Sequence, residues 1–597
     1  MKYKNFFITL IISVLMNGFL FAQDIIEIAS GQANAGLLET TINNDVDGSG
    51  NRLSPNRIYK LMPGIHYQLA PINVDNPTGT IRIVGDDSGK KPVIIPIATN
   101  DIGPEGSVIN GSLEMKNVHY QNYDDIGGGV FARFELQGLN RKLTVEDCLF
   151  EFAQHQVFFC DNVTQGLVLE FRNNYFRDLF WDDQWWASRV FQAKVPIDTL
   201  IFENNTVTGS GMALLQQEAV CNYALINHNS FINNHGYVIL NNYYFEAYFT
   251  NNLFYNCQIK GEDSTVIKLE PDVIPTCIMG LDTIDTDILL ADYMVDGSGN
   301  LIAPYNDIGN YKVYASNNIY FNESTLDPYY NGTYNSMGWG APVSYLNWFG
   351  EGPWKVYVPT PWMNERAKKL YADWPNIVEE NTILDQDPQL NTEALSAEDA
   401  EQLAIWNRRQ YAVPDETRIP DLSGYLFGDG NPLTIPGVET EDGDGITKFS
   451  DLVEDLSYSA NIKSTLDGHS IGALHWTDEI SSFDPDESLA SILQGYNNAT
   501  GVELISNNIP TEYNLDQNYP NPFNPSTNIN FSIPKSGHVS LVVYNVLGQQ
   551  VAELVNQEMI AGKYTYDFDA SELSSGIYIY QLNAGNYSVS KKMMLLK

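Results

Sequence analysis

The stretch FTNNLF (residues 249–254) places two adjacent asparagines inside an aromatic run with the composition of a β-strand. Asparagine is depleted in strands, so its recurrence there needs a structural reason. The arrangement returns in FRNNYF (171–176), FENNTV (202–207) and ASNNIY (315–320). Apolar residues alternate before each asparagine, a pattern that predicts a short strand with one buried face. The fold is therefore expected to consist of repeated short strands that end at asparagines.

Seven copies of this template can be aligned between residues 113 and 320. Their first polar position is occupied by Asn117, Asp147, Asn173, Asn204, His228, Asn251 and Asn317. Successive copies lie 23 to 31 residues apart, except for the last pair, which a long insertion separates. One such strand cannot bury its apolar face alone, whereas stacked copies bury a continuous core. The repeat therefore predicts a solenoid in which strands of successive coils pair in parallel.

The asparagines are expected at the corners of the coils. Because the first polar position continues the inward alternation, we expect its side chain to point into the coil. There it would hydrogen-bond with the equivalent side chain one coil away and form a ladder. The second asparagine is expected to take the left-handed conformation that a sharp corner needs. His228 is then predicted to be a ladder member rather than a catalytic base.

These coils resemble the right-handed parallel β-helix proteins of the pectate-lyase-like superfamily, which carry asparagine ladders. The segment RIYKLMPGIHYQLAPINVDNPTGTIRIVGDDSGKKPVIIP (57–96) resembles the opening coils of that family, and the resemblance covers roughly residues 50–330. It implies an all-β fold. It does not imply one activity, because the superfamily includes lyases, hydrolases, esterases, epimerases and non-catalytic proteins.

The N-terminus and the composition narrow the classes of function. Residues 1–22 have the features of a secretory signal peptide, with Lys2 and Lys4 before an apolar core and Ala22 at its end. No other run reaches the roughly 18 apolar residues of a membrane-spanning helix, so no transmembrane segment is expected in the mature form. The formal net charge of −41 disfavours nucleic acid as a partner. The five cysteines are widely spaced, which favours buried thiols over a zinc site or a disulfide framework.

The template is interrupted by an insertion at 258–312 and lost over 331–502. We expect the second segment to be an irregular covering region with short helices, one starting at Thr360 and one at Ser396. The sequence GHSIG (468–472) matches the nucleophile elbow of α/β hydrolases. Since no strand–helix alternation surrounds it, we interpret it as a closing segment of the β-helix rather than a catalytic serine.

The segment LFWDDQWWASRVF (179–191) is the best candidate for contact with a ligand. Tryptophan faces suit the C–H faces of sugars, and nearby carboxylates and arginine can bind hydroxyl groups. The candidate glycan-binding residues are Trp181, Trp185, Trp186 and Arg189. A polysaccharide lyase would need a Lys or Arg base, for which the candidate catalytic residues are Arg189 and Lys194, with Asp182 and Asp183 nearby. The alternative is that these aromatic residues only pack a loop against the β-helix.

The loop DVDGSGN (45–51) offers Asp45, Asp47 and Ser49 as oxygen ligands, so Ca²⁺ is a candidate cofactor. The loop lacks the glutamate at position twelve that an EF-hand uses. The alternative interpretation is an ordinary acidic, glycine-rich turn.

The C-terminal part contains NYPNPFNPST (518–527), followed by alternating runs separated by glycine turns. Such runs predict a small antiparallel, immunoglobulin-like β-sandwich. The segment is similar to the type A sorting domain of the bacterial type IX secretion system. The residues that carry the resemblance are Asn518, Pro520, Pro522, Gly576, Tyr578, Gly585, Lys592 and Lys597. The resemblance implies Sec export through the periplasm, passage across the outer membrane, and removal of the domain by the sortase of that machinery.

Five segments are therefore expected. They are a signal peptide (1–22), a parallel β-helix (23–330), an irregular region (331–502), a linker (503–515) and a sorting domain (516–597). We expect a secreted or outer-membrane-surface protein that binds an extracellular glycan. One alternative is a polysaccharide lyase or glycoside hydrolase that uses the same groove, and another is a non-catalytic structural adhesin or spacer. Whether the protein is an enzyme stays open at this point.

Overall fold

The computed structural model describes residues 24–28, 37–97, 106–122, 133–153, 155–177, 179, 188–216, 218–259, 262–263, 277–330, 345–347, 350–352, 357–384, 386–391, 456–458, 460, 462–500, 502–506, 512–534, 537–559, 562–571, 573–585 and 587–597. The two large sheets up to residue 384 consist of parallel strands, and the sheets from residue 502 onwards consist of antiparallel strands.

Three faces of parallel strands, numbered here in chain order, form the first part. Sheet one contains β1 (Ile25–Ile28), β2 (Ile58–Leu61), β4 (Asn73–Gly85), β6 (Ser107–Lys116), β9 (Lys142–Glu146), β12 (Leu167–Arg172), β15 (Ile197–Glu203), β18 (Cys221–Asn227), β21 (Tyr244–Thr250), β24 (Lys312–Ser316) and β29 (Ile377–Glu380). Sheet two contains β3 (His66–Leu69), β5 (Val93–Pro96), β7 (His119–Gln121), β10 (Leu149–Glu151), β13 (Tyr175–Arg177), β16 (Thr206–Thr208), β19 (Ser230–Asn234), β22 (Leu253–Cys257), β25 (Ile319–Phe321) and β30 (Ile383–Leu384). Sheet three contains β8 (Phe134–Leu139), β11 (Gln156–Gln165), β14 (Arg189–Ala193), β17 (Leu214–Gln216) and β20 (Ile239–Leu240).

The chain visits sheet three, sheet one and sheet two in turn and returns to each face one coil further on. Sheets three and one join at β6, whose first half pairs with β8 and whose second half pairs with β9. The expected parallel β-helix is therefore confirmed.

The core of the β-helix consists of the apolar positions of the template, stacked in register. One stack on sheet one runs through Leu113, Leu143, Leu169, Leu200, Ala224, Ala247 and Val313, and all of its members are buried. Aromatic rings stack in the same way after the corner, with 5.2 Å between the ring centroids of Phe231 and Phe254. Each coil thus buries the face that a single strand could not bury. All five cysteines are free and buried, as predicted.

The corners lie where predicted, but the two asparagine positions exchange roles. All seven positions predicted to form the ladder take the left-handed conformation, with φ between 52 and 59°: Asn117, Asp147, Asn173, Asn204, His228, Asn251 and Asn317. Asn204 Nδ2 donates to Asn173 Oδ1 (2.6 Å) one coil away, as predicted, but the continuous inward ladder runs through the next residue of each pair. The ladder is formed by the residue after each of the later corners. Oδ1 of Asn205, Asn229, Asn252 and Asn318 accepts hydrogen bonds of 2.9–3.2 Å from the backbone N–H and Nδ2 of the preceding ladder asparagine. A left-handed residue breaks the strand alternation, so the side chain that turns inward is the next one along the chain.

Residues 462–477, here called the covering segment, run along this corner. The Gly472 N–H donates to the Asn251 carbonyl (2.7 Å), the Ala473 N–H to Ser230 Oγ (2.9 Å), and the indole N–H of Trp476 to Thr206 Oγ1 (2.7 Å). The GHSIG sequence therefore belongs to an irregular segment bound to the β-helix, without the strand and helix of a nucleophile elbow.

Four α-helices are described: α1 (Leu37–Asn44), α2 (Asp327–Tyr330), α3 (Glu365–Asp373) and α4 (Pro485–Ala499). The helix predicted from Thr360 starts later than expected, because Asn364 is its N-cap and accepts a 2.8 Å hydrogen bond from the Ala367 N–H. The helix predicted from Ser396 lies outside the described residues. Helix α4 packs Ile492 and Tyr496 against apolar side chains on the outer side of sheet one.

The remaining short elements lie around the insertion and the covering segment. They are β23 (Glu262–Asp263) paired with β28 (Tyr357–Val358), β26 (Tyr345–Asn347) paired with β27 (Gly350–Gly352), and 3-10 helices at Asp292–Met294, Ile308–Asn310, Ser324–Leu326, Leu474–Trp476 and Asp478–Ser482. Within the described part of the chain, no helix is long and apolar enough to cross a membrane.

The C-terminal part contains two antiparallel four-stranded sheets, as the alternating runs predicted. One contains β31 (Val502–Ser506), β32 (Asn514–Leu515), β33 (Ser526–Ile533) and β36 (Gly562–Asp569). The other contains β34 (Gly537–Asn545), β35 (Gln550–Met559), β37 (Gly576–Ala584) and β38 (Tyr587–Leu595). The two sheets share a buried apolar core, which includes Phe531, Leu541 and Tyr580. Strands β31 and β32 fall in the segment expected to be a linker.

Candidate functional site

The predicted ligand-contact segment is only partly described. Trp181, Asp182, Asp183, Trp185 and Trp186 lie outside the described residues. The described end of the segment leads into β14, the third strand of sheet three.

Arg189 opens β14 and is only 3% exposed. Burial lowers its pKa to about 10, although the charge of Asp161 acts in the opposite direction. Its Nη1 lies 4.0 Å from the sulfur of Met212. Lys194 follows the end of the strand and is exposed. A guanidinium buried to this extent is poorly placed to act as the base of a lyase, so the catalytic role predicted for Arg189 has no support in this geometry.

The outer side of sheet three carries a row of polar and aromatic side chains, of which the sequence had singled out only Lys194. Phe159 is in register with Glu135 on one side and with Gln192 on the other. The guanidinium carbon of Arg133 lies 4.1 Å from the ring centroid of Phe159. We call Arg133, Glu135, Phe159, Asp161, Gln192 and Lys194 the sheet-three row.

Hydrogen bonds hold the carboxylates of this row in place. Glu135 accepts from Gln137 (2.8 Å), from Asn162 (2.6 Å) and from Arg133 (3.1 Å). Burial acts to raise the pKa of Glu135, but these three donors outweigh it and hold the pKa below its ordinary value. An ionised carboxylate of this kind accepts hydrogen bonds from hydroxyl groups and is a poor proton donor.

Asp161 extends the same arrangement to the next coil. Its Oδ2 accepts a 2.5 Å hydrogen bond from Gln192, and its Oδ1 accepts a 2.8 Å hydrogen bond from the backbone N–H of Lys194. The row therefore runs across three neighbouring coils, at right angles to the strands. Adjacent strands lie about 4.8 Å apart, so the row extends along the stack of coils and is not confined to a single coil.

A cavity of about 590 Å³ opens where β8 ends, lined by residues 77–80 and 138–141 together with Asn110 and Ser112. The Arg141 guanidinium beside it donates to the Pro77 carbonyl (2.8 Å), to Asn110 Oδ1 (2.6 Å) and to the Gln137 carbonyl (2.5 Å). Arg141 thus ties three neighbouring segments together at the end of the sheet-three row.

Salt bridges, helix α4 and the covering segment occupy much of the outer sides of sheets one and two. The early coils of sheet one carry pairs such as Lys142–Glu170 (2.8 Å), and its later coils are covered by α4. On sheet two, Glu151 is fully buried between His119 and Arg177, and later coils pack against the covering segment. Among the described residues of the sheet-three row, Arg133 and Glu135 form a salt bridge (3.1 Å), whereas Phe159 and Asp161 are partly exposed and Lys194 is exposed.

The carboxylates expected to bind calcium at residues 45–51 are bound by groups of the protein. Asp45 is buried and turns its carboxylate to Arg57 (2.7 Å), Arg52 (3.3 Å) and the Tyr59 hydroxyl (2.8 Å). Asp47 accepts hydrogen bonds from the backbone N–H of Ser49 (2.8 Å) and of residue 51 (3.0 Å). Two arginines neutralise the first carboxylate and the turn itself satisfies the second, so the prediction of Asp45, Asp47 and Ser49 as calcium ligands is not supported.

The sequence VDGSGN of this loop recurs at 295–300, where the aspartate is bound in the same way. Asp296 accepts from the backbone N–H of Ser298 (2.8 Å) and of Asn300 (3.0 Å). Both copies are therefore structural turns.

The N-terminal residues that carry the resemblance to a sorting domain lie along the edge of the second sheet of the C-terminal domain. The N–H of Phe523 donates to the Met594 carbonyl (2.9 Å), and the N–H of Leu596 donates to the Phe523 carbonyl (3.0 Å), so the NYPNPF segment covers the edge strand β38. The buried Asn518 donates its Nδ2 to Thr527 Oγ1 (3.0 Å) and to the Pro520 carbonyl (3.1 Å), which fixes the turn that starts this segment.

The other residues of the resemblance lie at the strand ends of the same sheet. Gly576 and Tyr578 start β37, and the Tyr578 hydroxyl donates to the Ser574 carbonyl (2.7 Å). Gly585 has φ +57°, which the tight connection to β38 requires. The Lys592 carbonyl accepts from the Gln517 side chain (2.8 Å), and Lys597 binds back to residues 571–575. Pro522 lies within the segment that covers β38.

Comparison with known proteins identifies this domain. Residues 517–596 match the family described as secretion system C-terminal sorting domain. No curated protein and no solved structure matches the chain. The chain is therefore a parallel β-helix protein that carries a secretion system C-terminal sorting domain, which marks it as a secreted or cell-surface protein.

Proposed function

We propose that this exported protein binds an extended extracellular polysaccharide along the sheet-three row. The observation that carries the proposal is the run of Arg133, Glu135, Phe159, Asp161 and Gln192 across three coils, with the partly exposed Phe159 at its centre. An aromatic ring flanked by fixed carboxylates and amides supplies both a surface for the C–H face of a sugar and acceptors for its hydroxyl groups. The tryptophans at 181–186 precede the third strand of this surface in the chain.

Binding without turnover is favoured over catalysis. Glu135 is held ionised by three donors, which removes it as a general acid, and Arg189 is buried, which removes it as an accessible base. A polysaccharide of repeating sugars suits a surface that repeats from coil to coil at the strand spacing.

We further propose that the type IX secretion machinery exports the chain and that its sortase removes the C-terminal domain. The match over residues 517–596 supports this part of the proposal. Surface anchoring and release are both compatible with it.

The proposal is tested with the secreted chain, without residues 1–22, on an array of extracellular polysaccharides. Each polysaccharide that binds is then incubated with the protein and assayed for new reducing ends and for the absorbance of unsaturated uronates. Binding without either product is the expected result. Product formation would make the protein an enzyme, and absence of binding across the array would leave the structural-spacer alternative.

A further inference from the structure

We propose that His228, Asp467 and His469 form a zinc-binding site that fastens the covering segment to the β-helix. The three side chains offer one ligand atom each, and these atoms all lie within 4.8 Å of one another. Two imidazole nitrogens and one carboxylate oxygen are a donor set that zinc uses in proteins, whereas Ca²⁺ takes oxygen ligands.

His228 is the exception among the corner residues. Five of the other six corners carry asparagine and one carries aspartate, and His228 shares their left-handed conformation, with φ 52°. A histidine is not needed to make this corner. Its side chain is fully buried and points at the covering segment, where Nε2 lies 2.8 Å from Asp467 Oδ2.

The second nitrogen of His228 is already arranged as it is in metal sites. Nδ1 lies 3.2 Å from the Gly472 carbonyl, an atom that only accepts hydrogen bonds, so Nδ1 carries a proton and Nε2 is the ligand nitrogen. Metal-bound histidines usually donate their other ring N–H to a carbonyl or a carboxylate in this manner. Asp467 is oriented in turn by the Ser488 hydroxyl, which donates to its Oδ2 (2.8 Å).

His469 supplies the third ligand. Its Nδ1 is buried and makes no hydrogen bond to any described residue, and it lies 3.7 Å from Asp467 Oδ1. A buried ring nitrogen without a hydrogen bond is costly unless something else binds it, and a cation at the centre of the three groups would do so. Zinc binds the lone pair of His228 Nε2 and the Asp467 carboxylate, and its binding releases to solvent a proton held between these two groups.

The surroundings fit a site that is closed on one side and open on the other. The Phe483 ring lies 5.3 Å from the ring of His228 and 5.6 Å from that of His469, which shields the site from bulk water. The His469 side chain is 21% exposed, so a cation can reach the site from that side. With three protein ligands, a fourth position remains for water.

The consequence of binding is a link between residues far apart in sequence. His228 belongs to the β-helix and the other two ligands belong to the covering segment, of which Asp467 lies 239 residues further along the chain. Zinc binds the folded arrangement only, so it stabilises the attachment of this segment by mass action.

The test uses untagged protein without residues 1–22, treated with EDTA and then incubated with Zn²⁺ and passed through a desalting column. We expect about one zinc per chain in the wild type by elemental mass spectrometry. We also expect at least about a hundredfold weaker binding in H228N and H469A, measured by competition with a chromophoric chelator. H228N restores the asparagine of the other corners and keeps the fold, and H469A changes a partly exposed side chain. The control is H538N, which changes an exposed histidine of the C-terminal sandwich and should bind like the wild type.

Two further readouts distinguish a site from adventitious binding. Co²⁺ should give the visible absorption of a tetrahedral nitrogen- and oxygen-bound ion in the wild type and in H538N, but not in H228N. Zinc should raise the unfolding temperature of the same two proteins only. The inference is overturned if the wild type retains no zinc, or if H228N and H469A bind zinc as tightly as the wild type does.

Discussion

Adjacent asparagines at one corner should differ sharply in their importance for stability. Asn174→Ala removes three buried hydrogen bonds: Nδ2 to the Val145 carbonyl (2.9 Å), Nδ2 to Asn205 Oδ1 (2.9 Å), and the one that Oδ1 accepts from the Cys148 N–H (2.9 Å). Each is worth about 1 kcal/mol net, and the buried N–H of Cys148 loses its partner, so the expected cost is roughly 3–5 kcal/mol.

The matched control is Asn173→Gly, one residue earlier. Glycine accepts the left-handed conformation of this corner, where φ is 58°, without strain. The substitution loses the hydrogen bond that Asn173 Oδ1 accepts from Asn204 (2.6 Å) at a partly exposed position, at an expected cost of about 1 kcal/mol.

Amide hydrogen exchange, followed by mass spectrometry of peptides covering 142–151, measures this difference locally. Asn174→Ala should accelerate exchange there by roughly two to four orders of magnitude, and Asn173→Gly by about tenfold or less. A larger effect from Asn173→Gly than from Asn174→Ala would show that the ladder is carried by the first asparagine of the pair, and would refute the assignment made from these hydrogen bonds.

Three further predictions concern export, pH and thiols. A chain that lacks residues 516–597 should accumulate in the periplasm, whereas the full chain should reach the cell surface or the medium; surface display of the truncated chain, measured by protease accessibility, would contradict the role of the sorting domain. Burial acts to raise the pKa of Glu151, but Arg177 and His119 hold it at about 2 in the folded state, below the ordinary value of 4.5. The ionised Glu151 carboxylate therefore makes its whole contribution to the free energy of unfolding above pH 4.5. This contribution is lost as the pH falls from 4.5 towards 2. Urea unfolding should show this loss as a fall in the free energy of unfolding of the wild type below pH 4.5, and a flatter pH dependence in Glu151→Gln. The substitution should also lower the free energy of unfolding by about 3 kcal/mol at neutral pH. The same pH dependence in both proteins would contradict the role of Glu151. Burial raises the pKa of the Cys148 thiol to about 12, and all five cysteines are buried. Native protein should therefore react with a thiol reagent at fewer than one of its five cysteines, and denatured protein at all five. Rapid labelling of the native protein would contradict the buried positions.

Much of the fold follows from the sequence, because the template combines two strong signals. Alternation at period two defines a strand, and its return after each coil defines the stack. The assignment of roles within the asparagine pairs could not be made in this way. It depends on which of two adjacent residues takes positive φ, and asparagine tolerates that conformation at both.

Local and long-range signals explain why the helices of the structure differ from the predicted ones. The start of α3 was misplaced because Pro361 suggested an earlier first turn, whereas Asn364 caps the helix three residues later. Helix α4 was missed although it has clear start signals, with Asp484 as N-cap accepting from two backbone N–H groups and Pro485 in the first turn. Its apolar side faces sheet one, a partner more than a hundred residues away in sequence, which a search for the strand template does not consider.

The candidate site was less accessible to sequence reasoning. The sheet-three row consists of single polar or aromatic residues on three strands, and outward polar residues are normal for any strand with one buried face. Only the stacking of the coils brings Glu135, Phe159 and Gln192 into register. The same is true of His228 and Asp467, whose proximity depends on the path of the covering segment.

The most direct test of the proposed function is the dissociation constant of a polysaccharide identified on the array, measured for the wild type, for the double variant R133A/F159A and for K142A. The double variant removes the stacked pair at the centre of the sheet-three row, and K142A removes an exposed, salt-bridged lysine from sheet one. We expect the double variant to bind at least about tenfold more weakly, equivalent to about 1.4 kcal/mol, and K142A to bind like the wild type. Equal affinities for all three proteins would show that the polysaccharide binds elsewhere and would contradict the proposed role of sheet three.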